Sequence, residues 1–361
     1  MNKRIFIVAF FAFLFLAGSV YAAIGITELR TEQLKNPLGI DVRQPRLGWR
    51  IESDEQNVMQ TAYHILVASS ADLLAQGKGD IWDSGKIESD ASQWIAYQGK
   101  PLKRNARYYW KVKVYTNRGE ADWSAPAFWS MGLLNEADWQ GQWIGLDRAA
   151  SGDSETQWSR LAARYLRKEF ALSREVKRAT VHIAGMGLYE LFINGQRIGD
   201  QVLAPAPTDY RKTILYNTYD VTPQLRKENA IGVTLGNGRF YTMRQNYKPY
   251  KIPTFGYPKL RLNLIVEYMD GSKETIATNT SWKLTTEGAI RSNNEYDGEE
   301  YDARKELGNW TQSGYDDKSW IAAQRVSIPS GTLRAQIMPG MKVMDTLKPV
   351  SIQKLGDKYI L

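Results

Sequence analysis

Residue types suited to holding a ligand concentrate in two short stretches. Gly236-Asn237-Gly238-Arg239-Phe240-Tyr241 supplies two rings, an amide and a guanidinium beside glycines that let a loop bend. Thr208-Asp209-Tyr210-Arg211 is a second such cluster. A sugar ring has one apolar face and a rim of hydroxyls, and a binding site meets it with an aromatic ring beneath and planar polar groups around it. Asp209, Tyr210, Asn237, Arg239, Phe240 and Tyr241 are therefore the candidate sugar-binding residues. The competing reading is packing, in which Phe240 and Tyr241 fill a core and the glycines turn the chain.

An acidic motif follows in Asn293 to Arg304. Asn293, Glu295 and Asp297 before Gly298 imitate the start of an EF-hand loop, but Arg304 stands at the twelfth position, where that loop needs a bidentate Glu. Glu300 and Asp302, two apart on a strand, would share one face. A pair of catalytic carboxylates must instead flank a glycosidic bond from either side, ~5–9.5 Å apart. An internal Asp302–Arg304 ion pair that fixes a loop is the preferred reading. Asp316-Asp317 reads as a solvated turn before Trp320.

His64 and His182 are the only histidines and there is no cysteine. Both histidines lie in strand-like segments without a partner at a telling spacing, so packed side chains are expected rather than a triad or a zinc site. The formal charge of +8 includes Lys3 and Arg4, and without them it is +6. The basic residues are interleaved with acids and form no basic helix, so a nucleic-acid partner is not expected.

The elements that must position these residues are short strands. In Leu188 to Ile193 the side chains alternate, and Asn194-Gly195 then favours a tight hairpin turn. Leu260, Leu262, Leu264, Val266 and Tyr268 alternate with Lys259, Arg261, Asn263, Ile265 and Glu267, and Asp270-Gly271 turns that strand into Glu274-Thr275-Ile276-Ala277. Earlier, Trp110, Val112 and Val114 make the dry face of a strand whose wet face is Lys111 and Lys113. The fold class is all-β. Trp139 and Trp143 stand in the linker and are expected to clamp one domain against the next.

Lys3-Arg4, the apolar run Ile5 to Ala17, and small residues at Val20 and Ala22 read as a secretory signal peptide cleaved after Ala22. The run is shorter than the ~20 residues that cross a bilayer. The mature protein is expected to be exported to the periplasm or beyond, with no membrane span.

Several words carry a family resemblance: Tyr189-Glu190-Leu191-Phe192-Ile193-Asn194-Gly195, Ile198-Gly199-Asp200, Leu203-Ala204-Pro205, Tyr216-Asn217-Thr218-Tyr219-Asp220-Val221-Thr222, and Tyr296-Asp297-Gly298-Glu299-Glu300-Tyr301-Asp302-Ala303-Arg304. With the 236–241 stretch they resemble the N-terminal sandwich of bacterial α-L-rhamnosidases, glycoside hydrolase family 78. The first segment, with its Trp123-Ser124 pair, resembles a fibronectin type III fold. The resemblance implies a signal peptide at 1–22, a fibronectin type III-like sandwich at 23–133, a linker at 134–160, a jelly-roll, lectin-like sandwich at 161–330 and the truncated start of a third β-domain at 331–361. It also implies a rhamnose-containing glycan or glycoside as ligand, calcium as the one candidate cofactor, and a catalytic (α/α)₆ barrel lying in other sequence. No catalytic residue is therefore assigned here, and the chain alone is expected to be inactive. The alternative is a stand-alone carbohydrate-binding or cell-surface adhesion module.

Overall fold

The computed structural model describes residues 24–149, 161–242 and 255–360, and every long element in it is a strand. The leader read at 1–22 lies outside these residues. Among the described residues no helix is long and apolar enough to cross a membrane.

The first sandwich packs a three-stranded sheet (Gly25–Thr31, Arg46–Glu52, Ile95–Ala96) on a five-stranded one. The larger sheet is built on Gln60–Ala68 and Arg107–Thr116, paired antiparallel. Trp49, Trp110 and Trp129 fill the space between the sheets. The Trp49 indole donates to the Gln60 amide (3.0 Å), and that amide donates to the Ala91 carbonyl (2.7 Å), so a buried polar group at the core edge is satisfied. Tyr63 to Val67 is apolar on both faces because a short helix, Ala71–Ala75, covers the outer one and packs Leu74 on Leu66 and Ala68. Ser70 caps that helix by accepting from the Leu73 N–H (3.2 Å). Alternation alone gave no sign of it.

The second sandwich is larger. One sheet orders Gln196–Arg197, Leu188–Ile193, Glu228–Gly236, Arg164–Ala171, Lys283–Thr285 and Ile321–Ala322. The other centres on Lys259–Tyr268, Val176–Met186 and Thr213–Asp220. Asn194 (φ 51°) and Gly195 (φ 83°) make the expected tight turn. Val181, Ile183, Leu262 and Leu264 face Leu191, Ile193, Val233 and Leu235 across the core. Lys273–Ala277 pairs back on Lys259–Tyr268 as the Asp270-Gly271 turn requires.

Three placements differ from the sequence reading. Lys259, Arg261 and Asn263 are buried rather than wet. The connecting segment straps across them: Arg261 donates to the Gly141 carbonyl (2.7 Å), Asn263 accepts from the Gly141 N–H (2.8 Å), and Lys259 pairs with Asp147. Ile144–Gly145 even joins the sheet beside Lys259 and Leu260. Trp139 and Trp143 accordingly pack on the second sandwich, with Trp139 edge-on to Tyr216 at 5.3 Å. Further on, Asp317 is no free turn residue, because it pairs with the buried Arg167. Near the C-terminus, Thr332–Ala335 adds a parallel strand to the edge of Thr213–Asp220, and Gln353–Leu355 with Lys358–Ile360 forms a separate two-stranded ribbon.

His182 is packed, as expected, whereas His64 is only half-buried and pairs with an exposed aspartate. His64 sits 2.6 Å from Asp83, while His182 is fully buried between Thr218 (2.9 Å) and Asn105 of the first sandwich (3.2 Å). Burial, helped by the Arg178 charge, pushes the His182 imidazole down to about 3. The unfolded chain takes up this proton near pH 6.5 and the folded chain near 3, so stability falls as pH is lowered through that window. Unfolding free energies from urea titrations between pH 6.5 and 5.5 should drop with a slope approaching about 1.4 kcal/mol per unit. The same series on His182→Gln should be nearly flat, and an equally steep one would show that another group titrates.

Candidate functional site

The cleft that uses the sequence candidates opens on the second sandwich, has a volume of about 660 Å³, and is assembled from five separate stretches of the chain. One wall is the start of strand Leu188–Ile193 with the end of Glu228–Gly236. The loop carrying Gly238 and Arg239 forms one end, and Val202, Leu203, Pro207 and Tyr210 another. The hairpin of Ile290–Asn294 and Gly298–Tyr301 closes the far side, and Met341 reaches in from the C-terminal segment.

Local geometry explains why this loop is glycine-rich. A Cβ at Gly236 would press on the Asn293 amide, and one at Gly238 on the Leu188 side chain. Asn237 is the tie between loop and hairpin. Its N–H donates to Asn293 Oδ1 (2.6 Å), its side-chain amide donates to the Leu161 carbonyl (2.7 Å), and its own carbonyl accepts from the Phe240 N–H (3.1 Å). Leu203 holds a positive φ of 54° and is 56% exposed. That backbone is costly for a branched side chain, and residues so held concentrate at ligand sites.

The six sequence candidates divide. Arg239 and Tyr210 line the cleft. Asn237 is buried behind it as the tie just described. Phe240 and Tyr241 are also buried, Phe240 against Tyr210 (5.2 Å, edge-on) and Tyr241 stacked on Tyr257 (5.7 Å). Their rings thus follow the packing alternative, holding the loop in place rather than offering a face at the surface. Burial also pushes the Tyr210 hydroxyl up to about 12, so it stays a neutral donor. Asp209 points its carboxylate at Arg211 (2.9 Å), and that guanidinium holds it below the usual carboxylate range.

Sequence reasoning missed the apolar wall, Leu188, Leu203 and Met341, and the acids of the rim, Glu190, Glu295 and Glu299. Glu295 is clamped by Arg239 through two bonds (2.6 and 2.8 Å), and Glu190 pairs with Arg197 (3.2 Å). The acid-rich hairpin was visible as a motif, but its role as a cleft wall depends on pairing across more than fifty residues. Asp302 lies just past the strand Gly298–Tyr301, where Arg304 clamps it and holds it down at about 2. This is the expected internal ion pair. Among the described residues no three His, Asp or Glu side chains gather as metal ligands.

The combination suits a polyhydroxylated ring, with apolar contact on one side and charged or amide groups around it. Hydrolysis would need a general acid raised by burial opposite a second carboxylate. All three rim acids are exposed, and two are ion-paired.

An immunoglobulin-like sandwich joined to a jelly roll with an open, polar-rimmed cleft defines a modular β-sandwich protein. Comparison with known proteins narrows this. Residues 26–135 match the Rha78A-like N-terminal immunoglobulin domain, and residues 174–345 the α-L-rhamnosidase N-terminal domain. The chain belongs to the α-L-rhamnosidase family, of which it carries N-terminal domains. An α-L-rhamnosidase of Formosa agariphila is 39% identical over 89% of this chain and 36% of its own length. Another, from Alteromonas sp., is 32% identical over 91% of this chain and again 36% of its own. The structure of α-L-rhamnosidase from Dictyoglumus thermophilum superposes with a TM-score of 0.82, at 38% identity, over 93% of this chain and 38% of that one. The chain therefore spans little more than a third of the length of these three relatives.

Proposed function

We propose that these two sandwiches are the accessory N-terminal region of an exported α-L-rhamnosidase. They seat a catalytic part supplied by other sequence and hold a rhamnose-bearing glycan near it. The parent reaction is hydrolysis of terminal α-L-rhamnosyl bonds with inversion. One observation carries this reading. Between residues 337 and 355 a row of apolar side chains stands uncovered: Met341 is 50% exposed, Val343 66%, Met344 89%, Leu347 87% and Leu355 68%. Uncovered apolar surface on this scale marks an interface, and the relatives carry nearly two thirds of their length beyond what this chain matches.

The test is assembly. Mixed with the separately produced remainder of the Formosa agariphila relative, the chain should elute as a complex on size exclusion. Replacing Met344, Leu347 and Leu355 with Ser should abolish the complex without changing the chain's own melting. Failure of the unaltered chain to associate would overturn the seating role. The chain alone should release no nitrophenol from 4-nitrophenyl α-L-rhamnoside.

The cleft favours a second role, sugar retention. Arg239→Ala breaks an exposed pair, so stability should change by less than about 1 kcal/mol. Affinity for a rhamnose-terminated oligosaccharide, read by calorimetry, should fall at least about tenfold if Arg239 orders the rim. Equal affinity in both proteins would remove the cleft from this role.

A further inference from the structure

The first sandwich carries a groove of its own, of about 290 Å³, between the edge strand Trp82–Glu88 and the strand Ile95–Ala96. Trp94 stands at its mouth. This indole is 53% exposed, and its backbone is held at a φ of 60°, a left-handed conformation that bulky side chains rarely adopt. A tryptophan kept both strained and exposed needs a reason that packing does not supply.

Its surroundings are built. The Arg46 guanidinium lies 4.4 Å from the ring centroid. Arg46 is itself fixed by Glu32, whose side chain is 1% exposed: Glu32 accepts from Arg46 Nη2 (2.6 Å), Nε (3.1 Å) and the backbone N–H (2.7 Å). The platform is therefore preorganised, and the arginine's charge is matched by its partner. Trp82 and Ile87 line the groove beside Trp94, with the exposed amide of Gln98 at its rim.

We propose that this groove is a second carbohydrate subsite, on the immunoglobulin-like domain, which holds a neutral polysaccharide chain against Trp94. A flat ring backed by the Arg46 guanidinium over one face, an amide at the rim and a balanced local charge fit sugar hydroxyls and C–H faces. An acidic peptide or a nucleic acid would call for unmatched positive charge, which the Glu32–Arg46 pair does not leave. The volume accommodates roughly one pyranose ring, at the small end of ligand sites. The subsite is separate from the cleft on the second sandwich and stands without it.

Affinity electrophoresis of the full chain tests this in gels cast with galactomannan, arabinoxylan or mixed-linkage β-glucan. Migration should be retarded in at least one gel, lost in Trp94→Ala and partly kept in Trp94→Phe. Trp94→Gly relieves the backbone strain, so it should melt within about 2 °C of the unaltered protein or above it, while losing retardation. Retardation in no gel, or retardation undiminished in Trp94→Ala, overturns the proposal. Loss in Arg239→Ala alone assigns the binding to the cleft, which ends this proposal and leaves that one standing. A fall of many degrees in Trp94→Gly with retardation intact makes Trp94 structural and overturns it as well.

Discussion

Arg167→Leu should destabilise the second sandwich by about 3 kcal/mol or more, the cost of breaking a buried ionic network by removing one partner. Arg167 is 1% exposed in the middle of strand Arg164–Ala171. Its guanidinium donates to the Trp310 carbonyl (2.9 Å) and the Gln312 carbonyl (3.0 Å), pairs with Asp317 and Glu169, and lies over the Tyr315 ring. One cation thus gathers the whole 310–317 segment onto the sheet. Leucine matches part of the volume but leaves two carbonyls and a half-buried carboxylate without their donor. The melting temperature should fall by roughly 6–12 °C, given ~2–4 °C per kcal/mol for a domain of this size. Hydrogen exchange should speed up first in residues 310–320, where Trp310 and Trp320 pack against each other, tilted by 35° with centroids 5.9 Å apart. Asp317→Asn keeps a hydrogen-bonding oxygen and should cost clearly less. A loss below about 1 kcal/mol in Arg167→Leu would mean that the loop is held by its aromatic residues alone.

Arg167 also shows where a sequence stops being readable. Strand alternation gave the sandwiches because one dry face per strand is a local property: Leu188 to Ile193, Leu260 to Tyr268 and the Asn194-Gly195 turn are each encoded within a few residues. What covers the other face is not local. Arg167, Lys259, Arg261 and Asn263 look like solvent positions in any window. They are buried because the 310–317 loop and the 136–147 strap come from far along the chain to lie on them. The cleft follows the same logic. Arg239 and Tyr210 were legible because aromatic and planar polar residues cluster near them. Phe240 and Tyr241 belong to the same cluster, but whether a ring faces water or Tyr257 depends on the neighbouring segment. Leu203 and Met341 were not legible, since nothing near a single Leu or Met marks it as a cleft wall.

Gly39→Val should uncouple the two sandwiches. Gly39 has a φ of 71°, and a Cβ there would overlap the Thr218 side chain of the second sandwich. Thr218 in turn holds His182 (2.9 Å), which reaches back to Asn105 of the first (3.2 Å). Around this point Arg178 donates to the Asn105 carbonyl (2.6 Å), Arg107 pairs with Asp220 (2.8 Å), Asp41 accepts from the Ala335 N–H (3.1 Å), and the Tyr216 hydroxyl accepts from the Leu133 N–H (3.2 Å). These polar contacts all need the backbones at close range, so a branched side chain wedged at Gly39 strains every one. Overpacking of about 1–3 kcal/mol adds to the left-handed penalty of about 1 kcal/mol or more. Calorimetry should show one transition in the unaltered protein and two in the variant, with the radius of gyration rising as the domains separate. A single unshifted transition would mean that the interface yields around the valine. The consequence reaches the proposed role. Asp41 and Ala335 tie the first sandwich to the strand that leads into the uncovered 337–355 surface, so a loosened first domain should also weaken assembly with the catalytic part, although no residue of that surface has changed.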